Sequence, residues 1–305
     1  MNTLVHEGLT FILPIANQAS CLGAAIPAWL TVLGRLQRPV QVILINDGST
    51  DDTPERLAQM EVSKAIAEFT EKPDQTVDIL HFENAQGYGS CLREGISLAR
   101  EPLIFYTGLE SAYTPGEIRL LLDHQQKLET EYSIKIHLIN GFRSYAKMPP
   151  LTRRIHQLKT VLLRLGLNYQ PRDLPGWFGW KWYLSSMIYN QIFGVALGDV
   201  FSKFRLLRRE LFDRIQLQSK SEFVHIEIAA KATFLECYMD EIPIAERPGP
   251  FPIQPYREAL QVSFSQDRRQ VFSYPQFRSP IKPNLLPEVV PESQENLSLP
   301  EQQNH

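Results

Sequence analysis

Four consecutive β-favouring apolar residues, Val42-Ile43-Leu44-Ile45, run straight into Asn46-Asp47-Gly48-Ser49-Thr50-Asp51-Asp52, and a helical pattern begins at Thr53. An uninterrupted apolar run of this kind reads as a strand buried on both faces, as in a parallel sheet covered by helices. Carboxylates in the turn that follows stand at the carboxyl end of the strand, beside a glycine, where open α/β sheets bind their ligands. The same acids also suit plain helix capping, with Asp51 or Asp52 as the N-cap. This one segment leaves both readings open.

The pattern recurs. Leu9-Thr10-Phe11-Ile12-Leu13 runs into Pro14-Ile15-Ala16-Asn17-Gln18, and Leu103-Ile104-Phe105-Tyr106 into Thr107-Gly108-Leu109-Glu110. Strands are expected near 9–14, 40–45, 77–82, 102–106 and 133–139, with helices near 19–36, 53–69, 89–100 and 116–131. Such alternation predicts an α/β fold with a mostly parallel sheet flanked by helices. Right-handed crossovers then bring the strand ends after Leu13, Ile45 and Tyr106 to one edge. Further on, Glu222 to Cys237 reads as a helix and residues 238–244 as a last strand.

Four motifs stand in order: Pro14-x-x-Asn17; Asn46-Asp47-Gly48-Ser49-Thr50-Asp51; Gly87-Tyr88-Gly89 opening a helix that carries Gly95; and Gly108-Leu109-Glu110 ahead of Tyr113-Thr114-Pro115-Gly116-Glu117. The series resembles the family 2 glycosyltransferases of GT-A (Rossmann-like) fold, and among them the dolichyl-phosphate mannosyltransferase and bactoprenol glucosyltransferase branch. That branch reads P-x-Y-N-E, V-D-D-G-S-x-D, G-x-G-x-A-x-x-x-G and D-A-D-L-Q. Phe204-Arg205-Leu206-Leu207-Arg208-Arg209 is similar to its G-F-[KR]-L-[FL]-R-R segment. The likeness covers about residues 8 to 250. It implies a GT-A domain over 1–250 with a helical, basic and aromatic insertion at about 145–198. A proline-rich extension then occupies 251–305 and is expected to be disordered from about 280.

The resemblance also implies a ligand and a site. The donor is a nucleotide-diphosphate sugar, held by Pro14, Asn17, Asn46, Asp47, Gly87 and Gly108. Glycines at the start of the 89–100 helix let the chain turn where phosphate is favoured. The D-x-D motif has become Gly108-Leu109-Glu110, so Glu110 is the remaining carboxylate for catalysis and for Mg²⁺ or Mn²⁺, which take oxygen ligands and substrate phosphates. Alternatively cations replace the metal, or the site is silent. Arg143, after Ile139-Asn140-Gly141-Phe142, matches the family's G-x-R and is a catalytic candidate. Arg153, Arg154 and Arg205 are candidates for phosphate or acceptor, because a guanidinium fork binds two oxygens at once. Glu227 matches a Glu of the family and is a candidate active-site carboxylate, with a structural helix acid as the alternative.

Between Arg143 and Lys181 there are eight Lys/Arg and one acid, Asp173, followed closely by three of the four tryptophans (177, 180, 182) within one segment. Basic residues with interfacial aromatics suit a lipid surface or a phosphate, while a solvated helix face or an extra packed helix pair explains them equally. The acceptor expected is a polyprenyl phosphate. It needs no general base, because a phosphate monoester with a second pKa of about 6 is already anionic. A silent relative acting as a binding protein, and a transferase for polysaccharide synthesis, are the alternatives.

Composition sets outer limits. A net charge of -3 predicts no nucleic-acid partner, and three scattered cysteines (Cys21, Cys91, Cys237) predict buried thiols rather than disulfides or zinc. The stretch from Leu174 to Gly198 is interrupted by Lys181, Asn190 and Gln191, short of the roughly 18 to 20 clean apolar residues needed to span a bilayer. With no signal sequence visible, the expected location is the cytoplasm, with peripheral contact on the inner face of the membrane.

Overall fold

The apolar run at 42–45 lies inside a strand of eight residues, all of them buried. The structure is a computed structural model and describes residues 6–61, 64–109, 114–143, 191–195, 197, 199–244 and 265–278. Its strands are β1 (Leu9–Ile15), β2 (Val40–Asp47), β3 (Gln75–Phe82), β4 (Leu103–Tyr106), β5 (Leu138–Arg143), β6 (Arg205–Arg208) and β7 (Met239–Ile244). Its helices are α1 (Ala19–Leu33), α2 (Thr53–Glu61), α3 (Lys64–Thr70), α4 (Tyr88–Leu98), α5 (Ile118–Tyr132), α6 (Leu211–Arg214), α7 (Val224–Phe234) and α8 (Gln266–Ser273). Most of the expected helical insertion at about 145–198 and the tail beyond 278 lie outside the described residues.

The strands form one sheet in the order β3-β2-β1-β4-β6-β5-β7. β1 pairs in parallel with β2 and β4, and β2 with β3. β6 alone runs against its neighbours, pairing antiparallel with both β4 and β5. Two reversals make β5 parallel to β4, so the carboxyl ends of β1, β2, β4 and β5 share one edge.

Strand side chains alternate between two cores, one on each face, as the period of two requires. Phe11, Leu13, Val42, Leu44 and Phe105 pack with α1, where Trp29 lies 4.8 Å from Phe11 between ring centroids. Ile12, Ile43, Ile45, Ile104 and Tyr106 pack with Leu92, Phe212 and Ile228 on the opposite face. Both faces of the central strands are therefore apolar, which is why they read as unbroken runs.

Two elements depart from expectation. The fifth strand occupies Leu138–Arg143 rather than 133–139. α5 ends on Ser133 in the left-handed conformation, φ 53°, and the chain needs the next residues to cross to the sheet. The helix expected over 53–69 is seen as α2 and α3, with residues 62 and 63 outside the described residues. The segment holding Phe204-Arg205 contributes the antiparallel strand β6, whose two arginines are buried.

Candidate active site

The loops after β1 and β2 are bonded to each other. Asn17, φ 51°, accepts the Thr50 N–H on its side-chain oxygen at 2.8 Å, and its own N–H donates to Ser49 Oγ at 2.9 Å. The Gln18 N–H donates to Thr53 Oγ1 at 3.0 Å. Asp51 accepts from Ala19 N at 3.1 Å and Thr53 N at 3.0 Å, serving the first turns of α1 and α2 together. The hydrogen bond from Thr53, above all, holds its carboxyl below the usual aspartate value. Asp51 is therefore the helix-capping acid, which leaves Asp47 as the carboxylate at the strand end.

Asn46 is nearly buried, and its Oδ1 accepts the Ser49 N–H at 3.3 Å across the turn. Asp47 reaches the next loop. Its Oδ1 accepts from Gln86 N at 2.6 Å, and Oδ2 from Gly87 N at 2.9 Å. Gly48, φ 57°, permits that approach, because a Cβ there would lie 2.3 Å from Ala85 N. A carboxylate offers about four acceptor positions, so two N–H donors fix Asp47 without exhausting it. Burial first, and then the Asp47 charge, push the thiol of neighbouring Cys91 far up, so it is inert.

The amino end of α4 differs from its expected role. Gly87 gives its N–H to Asp47, and the Gly89 N–H donates to the Lys220 carbonyl at 2.9 Å. Gly87 has φ 92°, and a Cβ there would meet Lys220 O at 2.3 Å. Protein groups occupy the place expected for phosphate, and Gly87 acts by letting the 219–221 loop close over the helix.

Two further candidates are corrected. Arg205 has no exposed surface, and its guanidinium donates to Asn140 Oδ1 at 2.9 Å, His225 O at 2.6 Å and Val200 O at 2.7 Å. A phosphate cannot reach it; it ties β6 to β5 and α7. Glu227 is also fully buried, accepting from Gln218 N at 2.7 Å, Ser219 N at 2.9 Å and Lys231 Nζ at 2.8 Å. It anchors the loop that covers α4, as the structural alternative had it. The same loop is held from the other side by Asp267 of α8, whose Oδ2 accepts from Ser219 Oγ, Lys220 N and Ser221 N at 2.7–3.0 Å.

Pro14, Asn17, Asn46, Asp47 and Gly108 thus stand together at the carboxyl edge of β1, β2 and β4, with the backbone of Arg143 at the end of β5. Glu110, Arg153, Arg154 and the Trp-rich segment lie outside the described residues, as does the Arg143 side chain. A cavity at the opposite edge, lined by His6, Glu7, Arg38 and Glu129, is structural in character, since Arg208 pairs there with Glu7 and Glu129 at 2.9 and 2.7 Å.

The profile of the family described as "Glycosyl transferase family 2" matches residues 10–216, more than half of the chain. The chain belongs to this family. No curated protein sequence matches this transferase. Among solved structures it is similar to the glucosyl-3-phosphoglycerate synthase of M. tuberculosis, with TM-score 0.51, 13% identity, and 90% of this chain and 91% of that one covered. It is also similar to the mannosyl-3-phosphoglycerate synthase of Rubrobacter xylanophilus, with TM-score 0.50, 14% identity, and coverage of 88% and 75%. A mycobacterial protein gives TM-score 0.51 at 14% identity, with 88% and 76% covered. At these identities the likeness shows the fold, the GT-A arrangement.

For the divalent ion, the described part of the transferase offers no ligand set. Gly108 has no side chain, and Glu110 lies outside the described residues. Among the described residues no three His, Cys, Asp or Glu are grouped to hold a metal. What does stand at the end of β4 is a cluster that motif reading passed over. Tyr88 OH donates to Thr107 O at 3.5 Å, and its ring lies 5.0 Å from His225. His225 Nδ1 meets Tyr106 OH at 3.1 Å. Lys203 Nζ sits 5.2 Å from the Tyr88 ring centroid and 2.6 Å from Glu222 Oε1. The available signal was Lys203 itself, standing where the family's G-F-[KR] has glycine.

Proposed function

We propose that this family 2 transferase is an inverting enzyme that moves a sugar from a nucleotide-diphosphate sugar to a polyprenyl phosphate. The observation that carries the donor half is the gathering of Asn17, Asn46, Asp47 and Gly108 on one edge of a GT-A sheet, at the carboxyl strand ends. Asp47, preset by Gln86 and Gly87, keeps acceptor capacity for a ribose or base N–H or O–H. Glu110 follows directly on Gly108-Leu109; with the diphosphate and water it is the carboxylate through which Mg²⁺ or Mn²⁺ would enter, and such an ion would neutralise the leaving diphosphate.

The acceptor half is supported by sequence and chemistry. Eight cations against one acid between Arg143 and Lys181 suit an anionic acceptor at a membrane surface. A phosphate oxygen attacks without losing a proton, which fits a site where Glu227 is spent on structure. Among the described residues no helix is long and apolar enough to cross a membrane, and the contact proposed with lipid is peripheral. A second reading is a small phosphorylated acid as acceptor, favoured by the two phosphoglycerate synthases of the same fold. Incubating the enzyme and labelled donor with polyprenyl phosphate in liposomes, and separately with 3-phosphoglycerate, tests both. Label moving into lipid supports the proposal. Label on phosphoglycerate alone replaces the lipid with the small acid.

A further inference from the structure

In the antiparallel pair of β4 and β6, Tyr106 stands opposite Arg205. The residues just before β6 therefore lie just past the carboxyl end of β4, beside Thr107 and Gly108. Lys203 is one of them. Its side chain is only 9% exposed, its ammonium is 2.6 Å from Glu222 Oε1, and the Tyr88 ring lies 5.2 Å away. Tyr88 in turn bonds the Thr107 carbonyl, the last residue before Gly108. Each contact restricts the ammonium. The carboxylate fixes one direction, and the aromatic face favours a cation by its negative quadrupole.

Two departures from the family's pattern meet here. Glycine in place of the first Asp of D-x-D removes a negative charge at residue 108. Lysine in place of the glycine of G-F-[KR] adds a positive charge at residue 203. The first change removes negative charge from the edge of β4, and the second places an ammonium there, paired with Glu222. When the sugar leaves a nucleotide diphosphate, the bond between the anomeric carbon and the β-phosphate oxygen breaks, and the electron pair stays on that oxygen. A fixed cation in a water-poor site stabilises charge that develops in this way, and lysine binds phosphate as a point charge.

We propose that the Lys203 ammonium, aligned by Glu222 and the face of Tyr88, contacts the donor's diphosphate and balances the charge left when the sugar departs. Lys203 remains protonated throughout; the acceptor oxygen makes the new bond to the anomeric carbon as the old one breaks. The proposal rests on the nucleotide-sugar reading above.

Calorimetric titration in EDTA tests it, using UDP, GDP, ADP, CDP and dTDP and their monophosphates against the wild type, Lys203→Met and Lys203→Arg. The wild type binds one diphosphate without metal. Lys203→Met weakens it about tenfold or more, as loss of a charged hydrogen bond does, while the matching monophosphate changes less than about twofold and Lys203→Arg retains most of the affinity. Because Lys203→Met strands Glu222, the double variant Lys203→Met/Glu222→Gln is measured as well, and must show the same selective loss. Unchanged diphosphate affinity, or equal loss of both nucleotides in the double variant, overturns the role of Lys203. A wild type that binds a diphosphate only with metal present also overturns it. Failure of the folded wild type to bind any nucleotide, with or without metal, overturns the donor reading itself.

Discussion

Residues of one type divide sharply by where the fold puts them. Asp47 and Asp51 belong to one turn, yet Asp51 caps two helices while Asp47 holds the third loop at the sheet edge. Of the two candidate glutamates, Glu227 is fully buried against Lys231 and two backbone N–H groups. Glu227→Gln leaves Lys231 without its carboxylate and destabilises the protein by about 3 kcal/mol, read as a lowered denaturation midpoint. Glu110→Gln, in contrast, slows turnover about tenfold or more with the midpoint unchanged, as expected of a carboxylate acting on the diphosphate or its metal. The reverse pattern would exchange their roles. Sequence motifs pick out Asp47, Asn46 and Asn17 as candidates because each stands in a turn directly after an apolar strand, although Asp47 and Asn17 bond to other loops. Arg205 and Lys203 were misread or missed because their partners Asn140 and Glu222 are distant in sequence, and no local pattern records a partner.

At the scale of elements, β1, β2 and β4 were legible as apolar runs because helices cover both faces. β6 was not, since Arg205-Leu206-Leu207-Arg208 has charged ends that are made tolerable in a core by Asn140 and the His225 and Val200 carbonyls around Arg205, and by Glu129 and Glu7 around Arg208. The contribution of α8 was also hidden. Its Asp267 clamps residues 219–221, whose Lys220 carbonyl caps α4. Burial raises the Asp267 carboxyl, but hydrogen bonds from Ser221, Ser219 and Lys220 outweigh it and hold the group below its ordinary value of 3.8. A carboxyl depressed in the folded state stabilises fully above the unfolded value, and that stabilisation is lost as pH falls through the folded one. Asp267→Asn therefore lowers the melting temperature at pH 7, and the difference from wild type shrinks as pH drops below about 4. A difference that stays constant over that range would remove Asp267 from the account.

For the whole molecule, the parallel core set by β1, β2 and β4 brings residues as far apart in sequence as Pro14 and Gly108 to one edge. Family membership and fold agree with that reading, and the altered D-x-D is answered at the same edge by Lys203. On the proposed reading, this edge holds a nucleotide-diphosphate sugar. Calorimetric titration of the protein with UDP-glucose, GDP-mannose and other nucleotide sugars, with and without Mg²⁺ or Mn²⁺, tests it most directly. The expected result is saturable one-to-one binding of one donor, weakened at least about tenfold by Asp47→Ala. Absence of binding to every donor by the folded protein, with metal and without, would contradict it.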